Sequence, residues 1–213
     1  VETVEHLLKA FDRNRPVLLV DADEVLLRFV ERLERYFLSQ NFELRLTSFQ
    51  LSGNTYHKGS GDLAQPNQVQ KLIAGFFEAC VDDVDPVPGA AEGLAELSEH
   101  FQIAVLSNVP KNCRERREKS LAALDLGYPV IANKGDKGPV VKRFDEAFDK
   151  LTVFVDDLPP QHTSVAEHSP ESHRVHFVAD TRLAKMIGKA PDAHVRLDRW
   201  QDVTPHLIDL LKD

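Results

Sequence analysis

Three short apolar runs in this chain each end in a polar residue capable of chemistry, and that repeated unit limits the folds open to it. Residues 17–20 run into Asp21-Ala22-Asp23-Glu24, residues 103–106 into Ser107-Asn108, and residues 153–155 into Asp156-Asp157. Short runs rich in Val, Ile and Leu, with no polar alternation, are strands buried on both faces, as in the parallel sheet of an α/β protein. Ligands of open α/β sheets bind outside the carboxyl ends of the strands. The three runs therefore direct carboxylates, a hydroxyl and an amide toward one sheet edge. A fourth segment, Lys134-Gly135-Asp136-Lys137-Gly138, adds cations between the second and third runs. Such a set can bind a divalent cation and a phosphate together.

Helical periods fill the intervals. Leu26, Phe29, Val30, Leu33 and Phe37 predict a helix over 25–40, and Val69, Leu72, Ile73, Phe76, Phe77 and Cys80 one over 69–81. Further helices are expected over 90–97, 112–124, 137–150, 160–167, 181–186 (with Asp180 as N-cap) and 203–211. Weaker strands are expected over 130–132, 173–178 and 194–197. Alternating strand and helix predicts a Rossmann-like parallel sheet with helices on both faces. The first two strong runs lie about eighty residues apart, whereas a βαβ unit takes about 30. The surplus, 27–84, is expected to be a small, mostly helical insertion after the first strand, with 1–26 and 85–213 forming the core. Within it, 41–68 is polar, carries Gly53, Gly59 and Gly61, and contains no clear strand.

The chain has 213 residues, of which 42% are hydrophobic, which suits a packed fold of one ordinary core and a smaller insertion. A formal net charge of -8 argues against a nucleic acid polymer as partner. A small phosphorylated metabolite is compatible, because a local site can invert the global sign. Cys80 and Cys113 form no Cys-x-x-Cys pattern, so free thiols of a reducing compartment are expected. No apolar run approaches the ~18 residues of a membrane span, and no signal-like apolar segment precedes Pro16. A cytoplasmic location without membrane association is the expectation; the oligomeric state is left open.

Taken in order, Asp-x-Asp-x-Val after a strand, Ser-Asn after a strand, a lysine in a Lys-Gly context and Asp-Asp after a strand resemble the haloacid dehalogenase-like (HAD) hydrolase superfamily. Val87-Pro88-Gly89-Ala90 before a helix resembles it too. The resemblance spans about 16–160 and leaves the insertion unmatched; Glu24 stands where the superfamily often has Gly. It implies a HAD-like core with a helical cap and a Mg²⁺-dependent phosphatase acting on a small phosphate monoester through an aspartyl-phosphate. Asp21 would be the nucleophile and Asp23 the general acid and base. Ser107, Asn108 and the backbone at Ala22 would hold the phosphate. Lys137 would neutralise charge, with Lys134 and then Lys142 as alternatives. The metal would lie among Asp21, Asp23 (through its backbone carbonyl), Asp156 and Asp157. Dehalogenases of the superfamily lack an acid at the second position, so Asp23 favours phosphoryl chemistry. The opening motif and compact cap are loosely similar to the 5'-deoxyribonucleotidase branch, which makes a nucleotide monophosphate one candidate substrate. A phosphotransferase or mutase would need the same residues, and a non-enzymatic phosphate-binding regulator would need only the fold.

Other polar clusters read as structural. His162, His168, His173 and His176 lack helical pairing and are expected to be surface or internally satisfied histidines rather than a zinc site. Arg114, Arg116, Arg117 and Lys119 are expected to be a solvated helix face. Tyr56, His57 and Lys58 in the insertion are candidates for touching a substrate.

Overall fold

The apolar runs become the centre of a parallel sheet. The computed structural model describes residues 2–48, 50, 51 and 53–212. In chain order its elements are α1 (Glu2–Ala10), β1 (Val17–Val20), α2 (Phe29–Ser39), β2 (Phe42–Leu44), β3 (Thr55–His57), α3 (Pro66–Cys80), α4 (Ala90–Leu97), β4 (Gln102–Ser107), α5 (Arg114–Ala122), β5 (Val130–Ala132), α6 (Gly138–Ala147), β6 (Thr152–Asp156), α7 (Pro159–His168), β7 (His173–His176), α8 (Thr181–Met186), β8 (Val195–Arg196) and α9 (Trp200–Asp209). Six of the described strands form one sheet in the order β5-β4-β1-β6-β7-β8. All its pairings are parallel, with Val20 opposite Val105 on one side and Val155 on the other.

Side-chain alternation sorts each strand between two cores. Leu18, Val20, Val105, Val153, Val155 and Val175 pack with Leu94 and Leu97 of α4 and Trp200, Val203 and Leu207 of α9. Val17, Leu19, Ala104, Leu106 and Phe154 pack on the opposite face with Val4 and Leu7 of α1 and Phe144 of α6. Covering both faces is what makes continuous apolar strands stable, since no side of them meets water. β1 lies between β4 and β6, and from it the chain builds outward in opposite directions. The ends of β1 and β6 are thus the topological switch point, where a crevice opens in such sheets.

The insertion after β1 carries α2, β2, β3 and α3, and its apolar residues Leu33, Phe37, Leu72 and Phe76 join the α4–α9 core. It departs from the sequence expectation in two places. β2 and β3 pair as an antiparallel hairpin, Phe42 opposite His57 and Leu44 opposite Thr55, within a stretch expected to hold no strand. Three-residue strands are too short to display a period. In addition α2 starts at Phe29, not at 25. The amides of Leu26 and Leu27 both donate to the carbonyl of Ala22 at 2.9 Å, and Glu24 sits in the left-handed region at φ 61. That turn consumes the apolar residues that had looked like a first helical turn. No helix among the described residues is long and apolar enough to cross a membrane.

Candidate active site

Asp21 follows β1 directly, and its amide donates to the carbonyl of Val155 at 2.9 Å, so the β1–β6 ladder fixes its place. Lys137 reaches the same point from the start of α6. Its Nζ lies 2.8 Å from Asp21 Oδ1 and 2.6 Å from Asp156 Oδ2, and the residue is 1% exposed. Two contacts hold the backbone that presents it. The Lys137 amide donates to Gln161 Oε1 at 2.8 Å, and Gly138 packs so closely on α7 that an added Cβ would collide with the carbonyl oxygen of Ser164. Burial opposes the charge on Lys137, but the Asp156 and Asp21 carboxylates outweigh it and drive its pKa up. Lys134 and Lys142 are exposed, and Lys142 pairs with Glu146 at 2.6 Å.

Two buried histidines shape the Asp156-Asp157 turn. His162 Nε2 donates to the carbonyl of Asp156 at 2.9 Å, and His176 Nε2 to that of Asp157 at 2.9 Å. His176 is bonded through both ring nitrogens, its Nδ1 accepting from the Ala190 amide at 3.0 Å, whereas His162 Nδ1 is buried with no partner among the described residues. Burial pushes each of their pKa values down to about 4, so both are neutral at pH 7. Asp156 is engaged through both oxygens, by Lys137 and by the Leu158 amide at 2.9 Å.

Asp21, Asp156 and Asp157 each offer a buried carboxylate oxygen within 4.8 Å of the others. Lys137 is the one cation that touches this trio among the described residues, so negative charge remains in excess. Burial, followed by the charges of Asp156 and Asp21, drives Asp157 well above the usual carboxylate range. Burial also lifts Asp21 to about 6, against the pull of Lys137. An oxygen-only trio with surplus negative charge fits a hard divalent cation.

Asp23, two residues beyond Asp21, meets a partner that sequence reasoning placed in solvent. Arg117 of α5 is 0% exposed, and its Nη1 lies 2.9 Å from Asp23 Oδ1. The angle is wrong for a hydrogen bond. All three guanidinium nitrogens, Asp23 Oδ1 and the buried Ser107 Oγ lack a hydrogen-bond partner among the described residues. Burial raises the pKa of Asp23 and the Arg117 charge opposes it. A signal for Arg117 did exist in the sequence: Cys113, Arg117 and Leu121 recur at i, i+4 and are all buried, which sets Arg117 on the inward stripe of its helix. Arg116, its neighbour, turns outward to Asp82.

Of the remaining candidates Asn108 lines the crevice, while Ser107 and Ala22 are buried at the strand ends behind it. Ser107 ends β4, with its hydroxyl unpaired. Asn108 donates from Nδ2 to the carbonyl of Gly135 at 3.0 Å and accepts from Asn133 at 2.9 Å, bracing the loop that leads to Lys137. The Ala22 amide donates to Asp21 Oδ1 at 2.8 Å, so here it orients the carboxylate. Glu24 is buried beside this set, lining the same crevice. Its carboxylate accepts from the Val30 amide at 2.7 Å and the Asp180 amide at 2.8 Å, joining the starts of α2 and α8. Burial lifts its pKa to about 7. Tyr56, His57 and Lys58 do not line the crevice, whose wall from the insertion is instead Phe29, Val30, Phe77 and the segment carrying Leu46, Ser48, Gln50 and Leu51.

No protein-family model and no curated protein sequence matches the chain. Solved structures do. A HAD family hydrolase of Deinococcus radiodurans, with bound phosphate and sodium, superposes with a TM-score of 0.62 at 12% identity, covering 93% of this chain and 97% of that one. A protein of Bacillus subtilis classed as a HAD-hydrolase, bound to magnesium, gives 0.62 at 13% identity over 92% and 99%. An L-2-haloacid dehalogenase gives 0.58 at 11% identity over 92% and 100%. Identities this low speak for architecture alone, and the architecture agrees along nearly the whole chain: it has the haloacid dehalogenase-like hydrolase fold, with an insertion after the first strand.

Proposed function

We propose that the chain is a Mg²⁺-dependent phosphatase that hydrolyses a small phosphate monoester through a phosphoryl group carried on Asp21. The observation that carries this reading is the pinning of Asp21 and Asp156 by one buried lysine, at 2.8 and 2.6 Å, with Asp157 beside them and Asp23 two residues on. Asp23 argues for phosphoryl transfer over dehalogenation, since a dehalogenase has no leaving oxygen to protonate.

Asp21, ionised at neutral pH despite its raised pKa, attacks phosphorus. The P–O bond to the leaving group breaks, and Asp23 gives its proton to the departing oxygen. Asp23, now a carboxylate, takes a proton from water. The resulting hydroxide attacks the phosphorus of the aspartyl-phosphate and releases phosphate, restoring Asp21. Lys137 holds the nucleophile's orientation and offsets phosphoryl charge, and the Ser107 hydroxyl, which has no partner among the described residues, would donate to a phosphoryl oxygen. Asp21, Asp156 and Asp157, with the Asp23 carbonyl, would hold Mg²⁺, which when bound supplies further charge against the phosphoryl oxygens.

Residues 27–84 serve as a cap in this reading. The two chain passages joining it to the core run side by side: the Arg28 amide donates to Asp85 at 2.9 Å and the Val87 amide to Leu26 at 2.8 Å. Such a paired crossing can act as a hinge.

The test is phosphate release from p-nitrophenyl phosphate and a panel of phosphorylated metabolites, with Mg²⁺ or with chelator, for the native chain and Asp21→Asn. Metal-dependent release that the substitution abolishes supports the reading. Undiminished release by Asp21→Asn overturns it.

A further inference from the structure

The crevice at the switch point continues into a cavity of ≈ 250 Å³ whose floor is Asp21, Asp23, Lys137 and Asp157. Pockets for drug-sized ligands run to about 300–1,000 Å³, so a phosphoryl group in this smaller cavity leaves room for one ring or a short chain. The walls above the floor are mostly apolar, and the one acid among them, Glu24, is held by the Val30 and Asp180 amides. Phe29 comes from α2, Phe77 from α3, Leu46 and Leu51 from the β2–β3 connection, Leu158 from the α7 approach and Leu183 from α8. Two of these walls are held in place. Phe29 and Phe77 lie 5.9 Å apart between ring centroids, and Phe29 meets Phe76 edge-on at 5.1 Å. The β2–β3 connection is tied down by the buried Asn54, whose Nδ2 donates to the carbonyls of Ser48 at 2.9 Å and Gln50 at 2.6 Å.

The polar complement is equally telling. Above the floor, the neutral polar side chains lining the cavity are Ser48, Gln50 and Asn108, and Asn108 is already bonded to the Lys137 loop. Among the described residues Lys137 is the one cation in the lining, and it is committed to Asp21 and Asp156. Arg28 and Arg182 line a neighbouring cavity and are paired, with Glu31 and with Glu34 and Asp180 respectively. A second phosphate or a carboxylate on the leaving group would be desolvated among like charges with no cation to meet it. A sugar or polyol would bury more hydroxyls than the walls can satisfy.

Resting on the phosphatase reading, we propose that the leaving group is a small, uncharged, apolar alcohol or phenol, seated between the Phe29–Phe77 pair and Leu183. This class excludes nucleotides, sugar phosphates and bisphosphates as good substrates.

The test compares benzyl phosphate with glycerol 3-phosphate, both esters of primary alcohols, so that intrinsic leaving ability is matched. Burial of one ring predicts kcat/KM about 10- to 100-fold higher for the benzyl ester. Leu183→Gln should erode that ratio by lowering kcat/KM for the benzyl ester, while its circular dichroism spectrum and unchanged turnover of glycerol 3-phosphate report that the enzyme is still folded. Leu46→Arg, on a partly exposed wall, should raise kcat/KM for 3-phosphoglycerate, whose carboxylate then finds a cation. Hydrolysis of both esters with equal efficiency, or preference for glycerol 3-phosphate, overturns the inference and leaves the phosphatase reading intact. Absence of turnover on every ester, p-nitrophenyl phosphate included, overturns both.

Discussion

Arg117 Nη1 lies 2.9 Å from Asp23 Oδ1, and this ion pair joins a fully buried guanidinium on α5 to the carboxylate proposed to move the proton. Arg117 does not line the cavity, so it acts through Asp23 as a positioning residue. Removing it leaves Asp23 desolvated and unpaired. Arg117→Met is expected to lower kcat about 10²-fold, the scale of general acid–base catalysis, with KM little changed. Arg117→Lys should recover part of the loss. Steady-state kinetics on one substrate check this; an unchanged kcat in Arg117→Met contradicts it.

Glu24 occupies a left-handed conformation that Gly would adopt without strain, at φ 61. Its carboxylate nevertheless caps Val30 and Asp180. A hydrogen bond contributes about 0.5–1.5 kcal/mol, whereas the strain costs about 1–2 kcal/mol. The two caps win by a small margin, so Glu24→Gly should destabilise the chain by about 1 kcal/mol at pH 5 and by less at pH 8, because burial lifts the Glu24 pKa to about 7. Urea unfolding at the two pH values measures it, and a variant more stable at pH 5 would show that strain dominates.

The close approach of α6 to α7 holds Lys137. Gly138→Ala forces Ser164 away and should cost about 1–3 kcal/mol as overpacking, while lowering kcat by shifting the lysine. Lys137→Ala is expected to abolish turnover, and Lys134→Ala, at an exposed position, to leave it unchanged. Full activity in Lys137→Ala would move the charge-neutralising role elsewhere.

His162 makes stability depend on pH in a defined direction. Its pKa falls from 6.5 in the unfolded chain to about 4 in the folded one. The unfolded state therefore binds more protons between these values, so the contribution of His162 is complete above 6.5 and is lost as pH falls toward 4. Asp21 and Glu24, raised to about 6 and about 7, act in the opposite sense, their contributions falling as pH rises. The difference between native and His162→Gln isolates the histidine. The native advantage should shrink by up to about 3 kcal/mol between pH 7 and pH 4; a pH-independent difference contradicts the assignment.

The strands of the sheet centre were legible because burial on both faces writes them as unbroken apolar runs, and their last residues mark the switch point. Lys137 was separable from Lys134 by the Gly138-Pro139 step behind it, which opens a helix. Arg117 was missed because its neighbours Arg114, Glu115, Arg116 and Glu118 do face solvent, and charge density hid the inward Cys113–Arg117–Leu121 stripe. The β2–β3 hairpin and the wall it carries left no period to read. The satisfying carbonyls of His162 and His176 come from Asp156 and Asp157, contacts that only the folded chain creates.

The central claim is that Asp21 carries the phosphoryl group. Rapid acid quench of the enzyme turning over a ³²P-labelled ester with Mg²⁺, followed by peptide mapping, tests it directly. The account predicts label on the peptide containing Asp21, absent with chelator and absent in Asp21→Asn. Turnover without label on that peptide, or label that persists in Asp21→Asn, would contradict it.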